Sequence, residues 1–153
     1  MSLQVGDRAP EIRAENFQLS KLRGKNVVVF FFPKANTSGC TKEACEFRDA
    51  SPQFAKRNTE IIGISPEKAE PQQKWAAAYG LKFTLVPDPD HSIAEAYGVW
   101  KEKSMYGRKY MGIERSTFLV DDKGKIAAIF PKVKVVGHAV KVLEAVENLT
   151  TTH

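Results

Sequence analysis

The sequence has few residues that bind metals or form structural disulfides. It has 153 residues and two cysteines, Cys40 and Cys45, with four residues between them, so a thioredoxin-type Cys-x-x-Cys pair is absent. Three histidines, His91, His138 and His153, lie far apart. Because a structural zinc site needs about four ligands in two close pairs, we expect no metal. We also expect no other cofactor.

The sequence also has no long apolar run. None approaches the roughly 18 residues that a membrane-spanning helix needs, and residues 1–26 contain acidic residues and no apolar core of a secretory signal. We therefore predict a cytoplasmic protein with no membrane partner. Structural disulfides are rare in that compartment, so the two cysteines are expected to be catalytic, redox-active or simply buried.

The excess of one charge sign is small. The chain carries 23 basic and 18 acidic residues, a formal net charge of +5. The densest basic group comprises Lys101, Lys103, Arg108 and Lys109, and Glu102 interrupts it. This pattern is more typical of a solvated loop than of a nucleic-acid interface, so no nucleic-acid partner is predicted.

The length and the order of elements predict the fold class. A chain of 153 residues is expected to form one domain over residues 1–153. Val27–Phe32 is short, β-branched and aromatic, which is typical of a strand buried on both faces. Strands alternate with helices up to about residue 100, and a hairpin over 115–130 and a helix from His138 follow. This order predicts an α/β fold with a mixed central β-sheet flanked by helices.

Three local expectations follow from single residues and short patterns. Pro52 is predicted to kink or interrupt the helix over 37–57 near Ala50, because proline lacks the N–H that a helix interior uses. A third strand is predicted at Leu81–Val86, ending at Pro87. Residues 100–113 are predicted to form a loop.

The segment from Pro33 to Cys45 follows a buried strand, and a helix is predicted to begin close to Cys40. Binding sites collect at such strand-to-helix turns. A cysteine in a first helical turn faces unpaired N–H groups and the positive end of the helix dipole, and both favour the nucleophilic thiolate. The Thr37 hydroxyl could cap the helix or donate to the sulfur or to a bound oxygen substrate, and the sequence leaves both roles open.

The spacing of the two cysteines limits how they can react together. On one continuous helix their Cα atoms would be about 8–9 Å apart, whereas a disulfide needs roughly 4.4–6.8 Å. A Cys40–Cys45 disulfide therefore requires the first turns to unwind, which predicts redox-coupled melting of residues 38–46. The alternative for Cys45 is an inert, small, buried side chain.

These residues resemble a known family. The pattern Pro33-x-x-x-Thr37-x-x-Cys40 resembles the active-site signature of the peroxiredoxins, and a second cysteine five residues later resembles the subgroup called peroxiredoxin Q, or bacterioferritin comigratory protein. One departure is Ser38, where this subgroup often has proline. Further similar segments run along the chain: Val5–Pro10, Gly24-Lys25, Ile62–Ser65 and Arg115–Asp121.

The resemblance implies a thioredoxin-like fold with an N-terminal extension. It implies Cys40 as the peroxidatic cysteine, Cys45 as the resolving cysteine, Thr37 and Arg115 as active-site partners, and Pro33 as a shield of the pocket. The implied activity is reduction of hydrogen peroxide and alkyl hydroperoxides through a sulfenic acid on Cys40 and an intramolecular disulfide. Thioredoxin or a glutaredoxin would reduce that disulfide, and a monomer is expected because both cysteines belong to one chain.

Two other functions remain open from the sequence. A thiol–disulfide oxidoreductase acting on protein disulfides would use the same fold, although the missing Cys-x-x-Cys pair and the presence of Thr37 and Arg115 disfavour it. A non-catalytic binding module would not need Cys40. For Arg115 the alternative is a surface ion pair, and for Glu43 a solvated helix position is as well supported as an ion pair with a basic neighbour.

Overall fold

The computed structural model describes residues 3–151, without the side chains of residues 150 and 151. Residues 1, 2, 152 and 153 lie outside the described residues, and with them His153 and both ends of the domain predicted over 1–153. The strands are β1 (Arg13–Ala14), β2 (Phe17–Gln18), β3 (Asn26–Phe31), β4 (Thr59–Ser65), β5 (Thr84–Pro87), β6 (Trp100–Met105), β7 (Arg108–Ile113), β8 (Ser116–Val120) and β9 (Ile126–Phe130). The helices are α1 (Ser38–Lys56), α2 (Ala69–Tyr79), α3 (Ser92–Ala96) and α4 (His138–Thr151), and a 3-10 helix spans Leu19–Leu22.

The central sheet has five strands in the order β5-β4-β3-β8-β9. Strand β3 pairs in parallel with β4, and β4 pairs in parallel with β5. On its other side β3 pairs antiparallel with β8, and β8 pairs antiparallel with β9. This arrangement confirms the predicted α/β fold with a mixed central sheet.

Strand β3 is buried on both faces, as its composition predicts. Val28 and Phe30 pack with residues of α1, α2 and α4 on one face of the sheet. Val29 and Phe31 pack on the other face with α3 and the N-terminal segment. In the described part of the chain, no helix combines the length and apolar character needed to cross a membrane.

Aromatic side chains fix α1 against the sheet. Phe30 stacks on Phe47 of α1 with 4.8 Å between ring centroids, and Phe32 packs on Trp75 of α2 at 5.1 Å. Gly63 of β4 lies beneath this cluster, where an added Cβ would come within 2.7 Å of the Phe30 ring. A side chain at that position would displace the ring on which α1 rests.

The N-terminal segment, implied as an extension by the resemblance, is tied to the body of the protein. The Gly6 N–H donates to the Ile126 carbonyl at 2.8 Å, and the Tyr97 hydroxyl donates to the Pro10 carbonyl at 2.7 Å. These bonds hold the segment against the start of β9 and the residue that follows α3.

The predicted interruption of α1 at Pro52 and the predicted bounds of the third strand were wrong. Helix α1 is continuous through Pro52 and ends at Lys56, so Pro52 does not interrupt it. Phe47 and Phe54 are both fully buried on either side of Pro52, and this packing holds the helix where local propensity is poor. The third strand begins at Thr84 instead of Leu81 and includes Pro87.

The predicted loop over residues 100–113 is instead a β-hairpin. Strands β6 and β7 pair antiparallel from Trp100 opposite Ile113 to Met105 opposite Arg108. Between them Tyr106 and Gly107 both have positive φ, +52° and +77°, as a two-residue type I′ turn requires. The strands form a two-stranded sheet separate from the central one.

Candidate active site

The loop before α1 is fixed at its start and in its middle. The Phe32 N–H donates to the Ile64 carbonyl at 3.0 Å, which extends the β3–β4 pairing by one residue. The Ala35 N–H donates to the Glu67 carboxylate at 2.8 Å. Pro33, which is half-buried, lies near the start of this loop. Cys40 is then the third residue of α1 and only 1% exposed, so its sulfur lies at the helix start where backbone N–H groups lack helical partners.

Arg115 reaches this sulfur from the strand next to β3. It directly precedes β8, whose Ser116 lies opposite Phe31 at the end of β3. The Arg115 Nη2 group donates to Cys40 Sγ at 3.1 Å, and Nη1 donates to Glu43 Oε1 at 2.6 Å. The two nitrogens of one rigid guanidinium therefore hold the sulfur and the carboxyl group in a fixed relation.

Glu43 is the buried partner of Arg115. Its side chain is 1% exposed, and burial raises its pKa to about 7 although the Arg115 cation acts in the opposite direction. Burial would lower the pKa of Arg115, but the charges of Glu43 and Cys40 raise it above its ordinary value. The cation of Arg115 is thus secured between a carboxyl group and the cysteine sulfur.

Thr37 stands at the N-cap position of α1, but its side chain does not cap the helix. Its hydroxyl makes no capping bond to α1 and donates instead to the Lys34 carbonyl at 2.8 Å. Because its hydrogen is used there, the exposed Thr37 oxygen offers lone pairs, and a hydroperoxide O–H could donate to them. In this arrangement of the hydroxyl, a contact with an oxygen substrate would have Thr37 as the acceptor.

Cys45 lies on the same continuous helix and is half-buried, and both cysteines are free thiols. Residues before and after it tie α1 to α2. The Trp75 Nε1–H donates to the Thr41 hydroxyl at 3.0 Å, and Arg48 donates to the Tyr79 carbonyl at 2.7 Å. With the helix intact the two cysteines are too far apart to bond, for the geometric reason derived from the sequence.

The structure brings Cys40 and Arg115 into contact, adds Glu43 to the site, and places Lys103 where the charges of Arg115 and Cys40 act on it. Glu43 lies three positions after Cys40 and so on the same side of the helix, a spacing that could have indicated it. Lys103 of β6 is half-buried, and burial lowers its pKa; the Arg115 cation lowers it further, while the charges of Glu114 and Cys40 oppose this. Nothing in the sequence placed Lys103 here, because its segment was predicted to be a loop.

The described histidines are packed against aromatic rings. His138 is buried, accepts or donates a 2.7 Å hydrogen bond with the Thr117 hydroxyl, and has a pKa lowered to about 4 by burial, with the Lys141 and Arg115 cations acting in the same direction. His91 stacks on Trp100 at 4.1 Å. Within residues 3–151 no three histidine, cysteine, aspartate or glutamate side chains are grouped so as to hold a metal ion.

Known proteins are similar to this chain in both sequence and fold. The AhpC/TSA family matches residues 5–129. The putative peroxiredoxin bcp of Coxiella burnetii is 45% identical over 148 residues, 94% of this chain and 98% of that protein. The peroxiredoxin Bcp of Bacillus subtilis is 41% identical over 155 residues, 98% of this chain and 99% of that protein.

Two solved structures are similar over most of the chain. A cysteine-to-serine mutant of Xylella fastidiosa PrxQ superimposes with a TM-score of 0.89 at 31% identity, covering 98% of this chain and 99% of that one. The Xanthomonas campestris bacterioferritin comigratory protein gives a TM-score of 0.83 at 39% identity, covering 86% and 84%. The fold is therefore thioredoxin-like, as the resemblance implied.

A buried cysteine at a helix start, hydrogen-bonded to an arginine on a thioredoxin-like sheet, is the arrangement expected of a thiol peroxidase of the peroxiredoxin class. The sequence matches agree with this class. The chain belongs to the AhpC/TSA family and, within it, to the group of peroxiredoxin Bcp and peroxiredoxin Q.

Proposed function

We propose that this peroxiredoxin reduces hydrogen peroxide and alkyl hydroperoxides with Cys40 as the attacking thiolate and Cys45 as the resolving thiol. The observation that carries the proposal is the 3.1 Å hydrogen bond from Arg115 Nη2 to Cys40 Sγ at the start of α1. The X. campestris relative is described as having alkyl peroxide reduction activity, which supports the alkyl substrates.

In the first step the Cys40 sulfur attacks the terminal oxygen of the hydroperoxide. The S–O bond forms as the O–O bond breaks, and the leaving oxygen takes a proton to become water or an alcohol. Arg115 stabilises the negative charge that moves from sulfur to the leaving oxygen. Thr37 would accept the hydroperoxide O–H, and Pro33 would shield the loop side of the sulfur.

In the second step Cys45 reacts with the Cys40 sulfenic acid. The first turns of α1 unwind, the Cys45 sulfur attacks the oxidised sulfur, and the S–S bond forms as water leaves. Unwinding breaks the bonds that Thr41, Glu43 and Cys40 make with Trp75 and Arg115. Local opening of the helix is therefore part of each catalytic cycle in this proposal.

In the third step an external dithiol reduces the disulfide by exchange, and thioredoxin or a glutaredoxin fits this role. The proposal places the reaction in the cytoplasm, where such dithiols are kept reduced. Because both cysteines lie on one helix, the cycle needs no second subunit and a single-domain monomer suffices.

Two cysteine variants test the proposal in one assay of hydroperoxide-dependent thioredoxin oxidation. The Cys40→Ser variant is expected to lose all activity. The Cys45→Ser variant is expected to consume about one equivalent of peroxide and then stop, because the sulfenic acid forms but has no partner within the chain. Tandem mass spectrometry should locate the oxidised sulfur of Cys45→Ser on Cys40.

The same proteins separate the proposal from disulfide-exchange activity. A thiol–disulfide oxidoreductase would reduce insulin disulfides and would not oxidise thioredoxin in response to peroxide. Full peroxide turnover by Cys40→Ser, or insulin reduction without peroxide turnover by the wild-type protein, would contradict the proposed function.

A further inference from the structure

The β6–β7 hairpin sorts its charges by face. Side chains alternate along a strand, and directly paired residues of antiparallel strands share a face. The pairing register places five basic or large apolar side chains on one face of the hairpin. We call this the basic face; it consists of Lys101, Lys103, Met105, Arg108 and Tyr110.

The opposite face of the hairpin carries no net charge and is partly buried. On it Glu102 pairs with Lys109 at 3.7 Å, and Ile113 packs into the core. By contrast, Lys101, Lys103 and Arg108 form no ion pair with any residue from 3 to 151. The three unpaired cations of the hairpin therefore all lie on the basic face.

The basic face borders the active site. Lys103 is half-buried while its neighbours in β6 are exposed, and its side chain lies over Gly112, within 3.5 Å of where a Cβ would stand. The charges of Arg115 and Cys40 act on Lys103. Strand β7 ends only two residues before Arg115, so the base of the hairpin lies next to the active site in the chain.

Large apolar side chains are exposed on and beside the basic face. Met105 is 56% exposed, Tyr110 is 44% exposed, and Tyr106 at the turn is 98% exposed. Tyrosine, methionine and arginine together are typical of contact surfaces between proteins. An exposed apolar group of this kind, rimmed by cations, indicates a site where another molecule binds.

The positive charge of the basic face indicates what kind of molecule binds to it. A second copy of the chain docked through the same face would bring two sets of unpaired cations together, which is unfavourable. An acidic surface would be complementary to it. The proposed function already requires one protein to bind close to the active site, namely the dithiol that reduces the disulfide.

We propose that the basic face docks an acidic protein dithiol and so directs its thiolate to the Cys40–Cys45 disulfide. This inference rests on the proposed function. One sulfur of the dithiol attacks a sulfur of the disulfide, forms a mixed disulfide and releases a thiolate that takes a proton. The second sulfur then closes the dithiol's own disulfide, so the dithiol is oxidised and both cysteines return as thiols.

The test starts from protein whose disulfide has been formed with diamide, so it does not depend on peroxide chemistry. A purified acidic thioredoxin and dithiothreitol are compared as reductants. The double variant Lys101→Glu/Arg108→Glu should lower kcat/KM for thioredoxin about tenfold or more and abolish its decrease with added salt. The control Lys109→Glu/Lys123→Glu makes the same change in net charge on the opposite face of the hairpin and at the β8–β9 turn, and should change kcat/KM little.

Reduction by dithiothreitol should be the same for all three proteins, because a small neutral dithiol needs no docking surface. An unchanged thioredoxin kcat/KM in Lys101→Glu/Arg108→Glu, or equal losses in both double variants, would overturn the docking proposal. So would a dimer in sedimentation equilibrium that Tyr110→Ala dissociates. Failure of wild-type protein to oxidise with peroxide would count against the proposed function alone.

Discussion

At the scale of single residues, the site depends on one guanidinium that makes two different contacts. Arg115 uses Nη2 for the Cys40 sulfur and Nη1 for Glu43, and its side chain is mostly buried. A planar fork delivers two donors in fixed directions, whereas an ammonium group of the same charge delivers its donors from one point. The identity of the cation should therefore matter as much as its charge.

Arg115→Lys tests this directly. We expect the rate of Cys40 oxidation by hydrogen peroxide to fall about a hundredfold, because one donor to the charge that develops in the transition state is lost. Stopped-flow fluorescence would measure the rate. The exposed Arg13→Lys is the matched control and should keep the wild-type rate; an equally fast Arg115→Lys would show that charge alone suffices.

Glu43 gives a prediction about pH. Its folded pKa of about 7 lies above its ordinary value of 4.5, so the folded state favours the protonated form. The stability that this contributes is full below about pH 4.5 and is lost as the pH rises through 7. Relative to Glu43→Gln, the wild-type free energy of unfolding should therefore fall by on the order of 3 kcal/mol between pH 4 and pH 8.

Urea unfolding of both reduced proteins at a series of pH values would measure this difference. Groups that titrate in both proteins cancel in the comparison. If the wild-type protein instead gained stability over Glu43→Gln as the pH rose, the Arg115 cation would have to override burial and keep Glu43 ionised, and the prediction would be wrong.

Sequence reasoning found some of these residues and not others. Cys40 and Arg115 were predicted from a motif and the resemblance, and the structure places them in contact. Glu43 remained undecided because a glutamate on a helix is solvated unless a cation reaches it, and the cation comes from residue 115. For Thr37 the sequence left open a cap of α1 or donation to the sulfur or to an oxygen substrate, and in the structure its hydroxyl donates to the Lys34 carbonyl.

At the scale of elements, α1 must hold Cys40 in place and also open. Its second half is fixed by the fully buried Phe47 and Phe54. Its first turns are held by Arg115, by the hydrogen bond from Trp75 to Thr41, and by the small buried side chains of Cys40 and Ala44. The first turns bury only small apolar side chains, so they are the part of α1 that can unwind with the smaller loss of core contacts.

Thr41→Val should shift the opening equilibrium. Removing the acceptor of the Trp75 N–H costs about 1 kcal/mol or more in the folded helix start, because a buried donor is left unpaired. We expect faster hydrogen exchange at residues 38–46 in the reduced protein and faster disulfide formation after peroxide. Thr84→Val, in β5, is the control; unchanged exchange at 38–46 in Thr41→Val would contradict the prediction.

The elements also show where sequence patterns carry information. A buried strand such as β3 is a continuous apolar run, and its bounds were predicted within one residue. The hairpin of β6 and β7 has neither an apolar run nor regular alternation, because most of both of its faces is exposed. Its only local indication was the Tyr106-Gly107 turn, and a single glycine does not distinguish a hairpin from a loop.

At the scale of the whole molecule, the site exists because the sheet is mixed. Cys40 and Arg115 are separated by 75 positions and meet because β8 inserts antiparallel beside β3, which sets Ser116 opposite Phe31. The order of elements predicts the class of sheet, but the strand order and register come from long-range packing. The resemblance to a family implied the pairing of Cys40 with Arg115, which the periodicity of the sequence could not predict.

The central claim is that Cys40 attacks hydroperoxides because of where the fold holds its sulfur. Mixing reduced protein with hydrogen peroxide in a stopped-flow instrument, followed by peptide mass mapping, tests it most directly. The predicted rate constant exceeds that of free cysteine by on the order of a thousandfold or more, with a Cys40–Cys45 disulfide as the product. A rate no higher than that of free cysteine, or the same rate in Cys40→Ser, would contradict the claim.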